Sequence, residues 1–201
     1  MDERPGLGMI GGSFNPPHLG HLAIASDVCA MLDLSGVVFV PAASPVHKDV
    51  DYDVSPDDRI EMTRLAVADD ERFSVSTAEV DLGLRYTLDT VSELRQRHPG
   101  HRLVFIMGSD SLLQFETWHQ PSAILALCRV AVAMRPGDDV RSVEEEARRW
   151  GRGLIVVLPT VGLDISSSMI RDRLRLGLPV RYLVPDAVER YLRRRGLYGL
   201  S

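Results

Sequence analysis

Six short apolar runs alternate with segments of helical period along nearly the whole chain. The runs are Leu7–Ile10, Val37–Val40, Phe73–Val75, Leu103–Met107, Val130–Ala133 and Leu154–Leu158. Several are continuously apolar, the pattern of strands buried on both faces. The helical segments are Leu19–Leu32, Pro56–Ala68, Leu88–Arg97, Pro121–Leu127, Val143–Trp150, Ser168–Leu176 and Pro185–Arg194. Alternation of this kind calls for right-handed crossovers between parallel strands. The expected class is α/β: a doubly wound, Rossmann-like, mostly parallel sheet with helices on both faces. Ligands of such sheets bind past the carboxyl ends of the strands, near a switch in strand order.

One stretch sits where that rule wants a ligand. Gly11-Gly12-Ser13-Phe14-Asn15-Pro16-Pro17-His18-Leu19-Gly20-His21 follows the first apolar run and leads into the first helix. The glycines permit close backbone approach. A helix N-terminus offers unpaired N–H groups and suits phosphate. His18 and His21, three residues apart, add ring donors on one side of the turn. The plainer alternative is a strand–helix turn with two surface histidines.

Four other places carry candidate chemistry. Pro41–Val54 is a loop longer than usual, and Lys48 on it is either solvated or folded back over the strand ends. Gly108-Ser109-Asp110 follows the fourth run. It suits a ribose, with Asp110 accepting from hydroxyls, or is an ordinary turn with Asp110 as a helix cap. Trp118-His119 is core or a stacking platform for a planar ring. Asp164-Ile165-Ser166-Ser167-Ser168-Met169-Ile170-Arg171 caps a helix with serines. It places Arg171 in a first turn, where the helix dipole disfavours a cation. That suggests an anion nearby, although a simple cap with a surface arginine is also consistent. Thr87 is placed to cap Leu88–Arg97.

The bulk properties exclude several classes. A net charge of −5 argues against a general nucleic-acid binder. No apolar stretch approaches the roughly 18 residues of a membrane span, and the first ten residues lack a signal-peptide pattern. A cytoplasmic protein is expected. Cys29 and Cys128 are too few and too far apart for a disulfide framework or a zinc site, and both read as core thiols. No cluster has metal-ligand spacing. The chain shows no repeat and no dividing linker, so residues 1–201 read as one domain. Arg193-Arg194-Arg195 shares a helix with the apolar stripe Val188, Tyr191 and Leu192, and reads as that helix's solvated face.

Nearly end to end, the chain resembles the bacterial nicotinate mononucleotide adenylyltransferases of the nucleotidyltransferase superfamily. The resemblance rests on Gly11–His21, Pro45-Val46-His47-Lys48, Tyr86-Thr87-Leu88-Asp89-Thr90, Gly108-Ser109-Asp110 with Trp118, Ile165–Arg171 and a closing Val184-Pro185 to Tyr198 segment. The His-x-Gly-His element alone marks only the superfamily; the combination is narrower. Many members have Asp in place of Asn15 and Thr in place of Ser168. Both replacements keep hydrogen-bonding capacity.

The resemblance implies transfer of AMP from ATP to nicotinate mononucleotide, giving nicotinate adenine dinucleotide and pyrophosphate in NAD biosynthesis. It implies His18, His21, Lys48 and Arg171 as the catalytic donors. ATP would be bound by Gly11, Gly12, Ser13, Phe14, His18, His21, Gly108, Asp110, Ile165, Ser166 and Arg171. The mononucleotide would be bound by Asn15, Lys48, Thr87 and Trp118. Mg²⁺ is expected, held mainly by ATP phosphates, and helices 168–176 and 185–194 complete the site. Alternatives are another small-phosphate nucleotidyltransferase of the phosphopantetheine type, or a nucleotide-binding regulator without turnover. Oligomeric state is not legible, and a homo-oligomer stays open.

Overall fold

The computed structural model describes residues 4–43, 54–135 and 137–200. The six apolar runs are the six strands: β1 (Gly6–Gly12), β2 (Leu34–Pro41), β3 (Phe73–Val75), β4 (Arg102–Gly108), β5 (Arg129–Met134) and β6 (Ile155–Pro159). They form one sheet in the order β3-β2-β1-β4-β5-β6, and every pairing is parallel.

The helices are α1 (Leu19–Met31), α2 (Pro56–Val67), α3 (Ala78–Leu82), α4 (Thr87–Arg97), α5 (Ser109–Leu113), α6 (Pro121–Leu127), α7 (Val140–Arg149), α8 (Ser167–Arg175) and α9 (Asp186–Arg195). The long ones lie within a few residues of the sequence-based expectation. Two short ones were not expected. Both α3 and α5 have five residues, too few to display a 3.6-residue period. The start of α7 moves forward because Asp139 caps it, accepting from the N–H groups of Arg141 and Ser142. The expected cap of α4 is corrected too. Tyr86 is the N-cap residue and Thr87 is already the first helical residue, with no side-chain cap bond.

The sheet is buried on both faces because its strands are apolar on both. Leu7 and Met9 of β1 and Leu103, Phe105 and Met107 of β4 face a core shared with Val91, Leu94, Ile124, Val143 and Ala147 of α4, α6 and α7. Their neighbours Ile10, Val104 and Ile106 face the opposite core, shared with Ala25, Val28 and Cys29 of α1 and Val67 of α2. A third cluster joins Met62 and Ala66 of α2 to Ile170, Leu174, Val188 and Leu192 of α8 and α9. Gly36 is required by packing, since a Cβ there would lie 2.4 Å from the Arg72 carbonyl oxygen.

The register opens a crevice at the switch in strand order. β1 pairs with β2 through Gly12 and Pro41. On its other side it pairs with β4 only as far as Ile10 and Ile106. Beyond that point β4 pairs with β5 alone, through Gly108 and Ala133. The ends of β1 and β4 therefore part at Gly11 and Gly108, where strand order reverses.

Both cysteines are buried. Burial pushes the Cys128 thiol up to about 12, that of an inert core thiol. Among the described residues, no helix is long and apolar enough to cross a membrane. The arginine run on α9 is more engaged than a solvated face requires. Arg193 pairs with Glu189 at 2.8 Å, Arg194 lies over the Tyr191 ring, and Arg195 reaches the buried Asp58 at 3.1 Å.

Candidate functional site

The crevice is lined from the chain upward by glycine. Among the described residues, a Cβ built on Gly11 meets nothing within 4 Å, and one built on Gly108 meets only an Arg135 guanidinium nitrogen at 3.8 Å. Packing among those residues leaves open space beside the backbone at both strand ends.

Past Gly12 the chain turns sharply. Phe14 has a positive φ of 45° and the Asn15–Pro16 peptide is cis. Phe14 is buried, with its ring edge-to-face against His21 at 5.0 Å and tilted against Phe39 at 5.7 Å. Its side chain supports His21 from below, so only its backbone is free to meet a ligand. Asn15 is also buried, and its Oδ1 accepts from the Tyr198 hydroxyl. That places its Oδ1 at the junction with the C-terminal segment.

His18 and His21 are stacked, with ring centroids 3.7 Å apart. His18 is the N-cap residue of α1, and its backbone N–H donates to His21 Nδ1 at 3.2 Å. Gly20 makes room for this, since a Cβ there would sit 3.0 Å from His18 Nδ1. Burial, and then the nearby Arg135 charge, lowers the His18 pKa to about 4. His21 is held well below the usual value by burial first, then by His18 and Arg135. At neutral pH both rings are therefore uncharged.

Arg135 is a cation the sequence reading missed. It follows β5 and lies 3.8 Å from the Asp110 carboxylate. Its backbone N–H donates to Asp138 Oδ2 at 2.6 Å, and that same oxygen accepts from the buried Ser109 hydroxyl at 2.5 Å. The loop after β5 is thus pinned to the first turn of α5. Asp110 lies inside that turn and is exposed, while Gly108 is the N-cap residue. The one signal in the sequence is position: a cation just past a core strand that neighbours the switch point.

The C-terminal helices close one side. Ser166 caps α8, accepting from the Met169 N–H at 3.1 Å. Ser167 donates to the Pro16 carbonyl at 2.8 Å, and the Leu19 N–H to Leu183 O at 3.0 Å. Ile165 O lies 3.6 Å from the Gly20 Cβ position. Arg171 donates from one terminal nitrogen to the Asn15 carbonyl at 2.8 Å and from the other to Ser168 Oγ at 3.2 Å. Because α8 begins at Ser167, Arg171 is its fifth residue, past the first turn where it was expected, and it has a protein partner. The arginine ties α8 to the glycine-rich turn.

On the other side, α4 and the Trp118 segment meet. The Tyr86 ring, just before Thr87, stacks on His119, just after Trp118, at 4.2 Å and 27°. Trp118 is half-buried, leaning on Phe115 at 5.5 Å and Phe105 at 6.0 Å. Part of the tryptophan is core, and part stays open. Lys48, with Pro45-Val46-His47, lies outside the described residues.

Among the described residues, no group of three or more His, Cys, Asp or Glu side chains is arranged to hold a metal ion. Two neutral histidines and two arginines make a donor set suited to anions.

The cytidylyltransferase-like family profile matches residues 9–173. The chain is 41% identical to a probable nicotinate-nucleotide adenylyltransferase of Geobacter sp. (strain M21), over 96% of this chain and 97% of that one. It is 41% identical to the protein of the same description in Moorella thermoacetica, over 97% and 93%. Its fold is similar to that of Plasmodium falciparum nicotinic acid mononucleotide adenylyltransferase complexed with NaAD. The TM-score is 0.79 at 15% identity, covering 98% of each chain. A putative nicotinate-nucleotide adenylyltransferase of Vibrio parahaemolyticus superposes with a TM-score of 0.69 at 18% identity, over 98% of this chain and 97% of that one.

Proposed function

The chain belongs to the cytidylyltransferase-like family and, within it, to the nicotinate-nucleotide adenylyltransferases, and from that premise we propose how its residues carry out the transfer. The enzyme moves AMP from ATP to nicotinate mononucleotide and releases pyrophosphate, a step of NAD biosynthesis. The observation that carries the residue assignment is the neutral, stacked His18–His21 pair beside two glycines that face open space.

The nucleophile is the phosphate of the mononucleotide. Its second pKa is about 6, so it is already anionic at neutral pH. No general base is required, and two uncharged histidines suit the task better than a base would. His21 Nδ1 accepts from the backbone, so its proton sits on Nε2. Nε2–H is a fixed donor for phosphate oxygens. Arg135 and Arg171 supply positive charge at the crevice, and Lys48 is assigned the same role from the resemblance. What remains is to hold two anions in line. Positioning of this kind contributes about 7–11 kcal/mol to rate acceleration, and preorganised donors at the reacting phosphorus add to it.

Adenosine is assigned to Gly108, Asp110, Ile165 and Ser166, with the triphosphate over Gly11, Gly12 and Ser13. The pyridine ring is assigned to the open side of Trp118. The nicotinate carboxylate then falls near the N-terminus of α4 at Thr87, where the helix dipole favours an anion. Nicotinamide mononucleotide carries no such charge. Mg²⁺ is proposed to arrive on the ATP phosphates, where it neutralises charge on the leaving pyrophosphate. The cytoplasm, where ATP is at hand, is the proposed location.

The test is a panel of initial rates with ATP and four acceptors: nicotinate mononucleotide, nicotinamide mononucleotide, phosphopantetheine and inorganic phosphate. The expected order of kcat/KM places nicotinate mononucleotide first. Equal values for acid and amide would remove the role of the α4 N-terminus. Turnover with phosphopantetheine alone would overturn the reading.

A further inference from the structure

The buried polar groups that the chemistry does not use are not scattered. Arg59 of α2 is the largest fully buried side chain. Its two terminal nitrogens donate to backbone carbonyls on two different strand ends: Ser13 O at 2.9 Å, past β1, and Ala43 O at 3.3 Å, past β2. The Arg59 carbonyl in turn accepts from the buried Thr63 hydroxyl at 2.7 Å, which helps fix its turn of α2.

Glu79 of α3 lies beside Ala43 and within the field of Arg59. Burial pushes its carboxyl pKa up, while the Thr90 hydroxyl, the Ala43 backbone and Arg59 oppose that. Its Oε1 accepts from the Thr90 hydroxyl at 2.7 Å. Thr90 is fully buried, and its Oγ1 also lies 3.3 Å from Tyr86 O, the N-cap residue of α4. The backbone of Glu79 is held as well, since its carbonyl accepts from the Leu84 N–H at 3.0 Å where α3 ends.

These groups form a chain of neighbours. Arg59 ties the glycine-rich turn to Ala43, Glu79 lies beside Ala43 in the field of Arg59, and Thr90 joins Glu79 to the first turn of α4. One end is the assigned triphosphate half-site and the other is the assigned mononucleotide half-site. We infer that Arg59, Glu79 and Thr90 are positioning residues that fix the distance and angle between the two half-sites. The inference rests on the function proposed above. A buried arginine is costly unless its donors are satisfied, and here the bonds of Arg59 and Thr90 go to the two strand ends and the helix cap that the reaction must align. An apolar core would hold α2 and α3 against the sheet without such directional bonds. In-line transfer between two bound anions needs directional control, because a misplacement of about 1 Å can cost about 100-fold in rate.

Thr90→Val removes the hydroxyl while keeping the side-chain shape, and Thr90→Ser restores the hydroxyl. Ser92→Ala removes a hydroxyl of the same helix that bonds only to Leu88 O and serves as the control. Each variant is assayed well below its own melting temperature. Each substrate's affinity is measured separately by calorimetry, alongside kcat for the complete reaction. The expected result for Thr90→Val is a loss in kcat of about 10- to 100-fold. Affinities for ATP alone and for the mononucleotide alone stay within about twofold. Thr90→Ser recovers most of kcat, and Ser92→Ala matches the parent. Arg59→Lys, which cannot bridge both carbonyls with a planar fork, is expected to show the same split. An unchanged kcat in folded Thr90→Val would overturn the inference, as would a loss explained by the affinity of one substrate. The unsubstituted protein, assayed alongside with nicotinate mononucleotide, reports separately on the proposed function.

Discussion

The backbone N–H of His18 donates to Nδ1 of His21 at 3.2 Å while the two rings stack at 3.7 Å. One contact closes the first turn of α1, fixes a tautomer and orients a ring. Helix capping and the proposed phosphate contact thus use the two nitrogens of one ring: Nδ1 takes the N-cap N–H and leaves Nε2–H for the ligand. The same contact removes any duty of His21 Nδ1 as a base.

The first expected outcome concerns ionisation. Both rings have pKa values below that of an exposed histidine, with His18 at about 4. The unfolded chain takes up these protons near pH 6.5 and the folded chain does not. The histidine contribution to stability is therefore complete above pH 6.5 and declines as pH falls from 6.5 toward 4. NMR titration of the ligand-free protein checks this, with neither ring charging between pH 8 and 6. A midpoint near 6.5 for either ring would contradict the burial argument.

Removing the donor tests its role in the reaction. His21→Ala is expected to lower kcat by about 100- to 1,000-fold, the usual cost of one preorganised donor at a developing charge. The ATP affinity changes far less. Near-normal turnover in a folded variant would assign the phosphates to other groups.

Trp118 leans on Phe105 and Phe115 with one side and is half-exposed on the other. Loss of a stacking surface costs about 1–3 kcal/mol per ring. Trp118→Ala should raise the mononucleotide KM by about tenfold or more and leave the ATP KM nearly unchanged. A raised ATP KM alone would move the tryptophan to the other half-site.

Asp58 anchors α9 to α2. It accepts from Tyr191 at 2.7 Å and Ser55 at 2.7 Å and pairs with Arg195 at 3.1 Å. Burial raises its carboxyl pKa, but the bonds from Ser55, Tyr191 and Arg195 overcome that and hold it below the usual value. Its contribution to stability is full above pH 4 and is lost as the pH falls through its own lowered pKa. Tyr191→Phe is expected to cost about 2 kcal/mol, a typical loss for a hydrogen bond to a charged group. Chemical denaturation at pH 7 measures the loss.

The fold was legible because Leu103–Met107 and Val130–Ala133 are continuously apolar, a pattern that only strands covered on both faces need. The position of the crevice was legible for a related reason. Gly11 and Gly108 each follow such a run, on neighbouring parallel strands whose pairing stops just before them. Arg135 was hidden because nothing local marks it. It reaches the crevice only through the adjacency of β4 and β5. Arg59, Glu79 and Thr90 were hidden in the same way. Their long-range partners lie between 11 and 46 residues away, beyond any periodicity. Arg171 was read for its defiance of the helix dipole, and the structure answers with a carbonyl, Asn15 O. Local electrostatics identified an unusual arginine but not its partner.

The central claim is direct transfer of AMP to nicotinate mononucleotide by positioned, uncharged histidines and nearby cations. The most direct measurement quantifies pyrophosphate and dinucleotide together, with the purified protein and Mg²⁺-ATP, with and without nicotinate mononucleotide. The expected result is one pyrophosphate per nicotinate adenine dinucleotide formed, and none from ATP alone. Pyrophosphate released from ATP alone in proportion to enzyme, or no dinucleotide when both substrates are present, would contradict it.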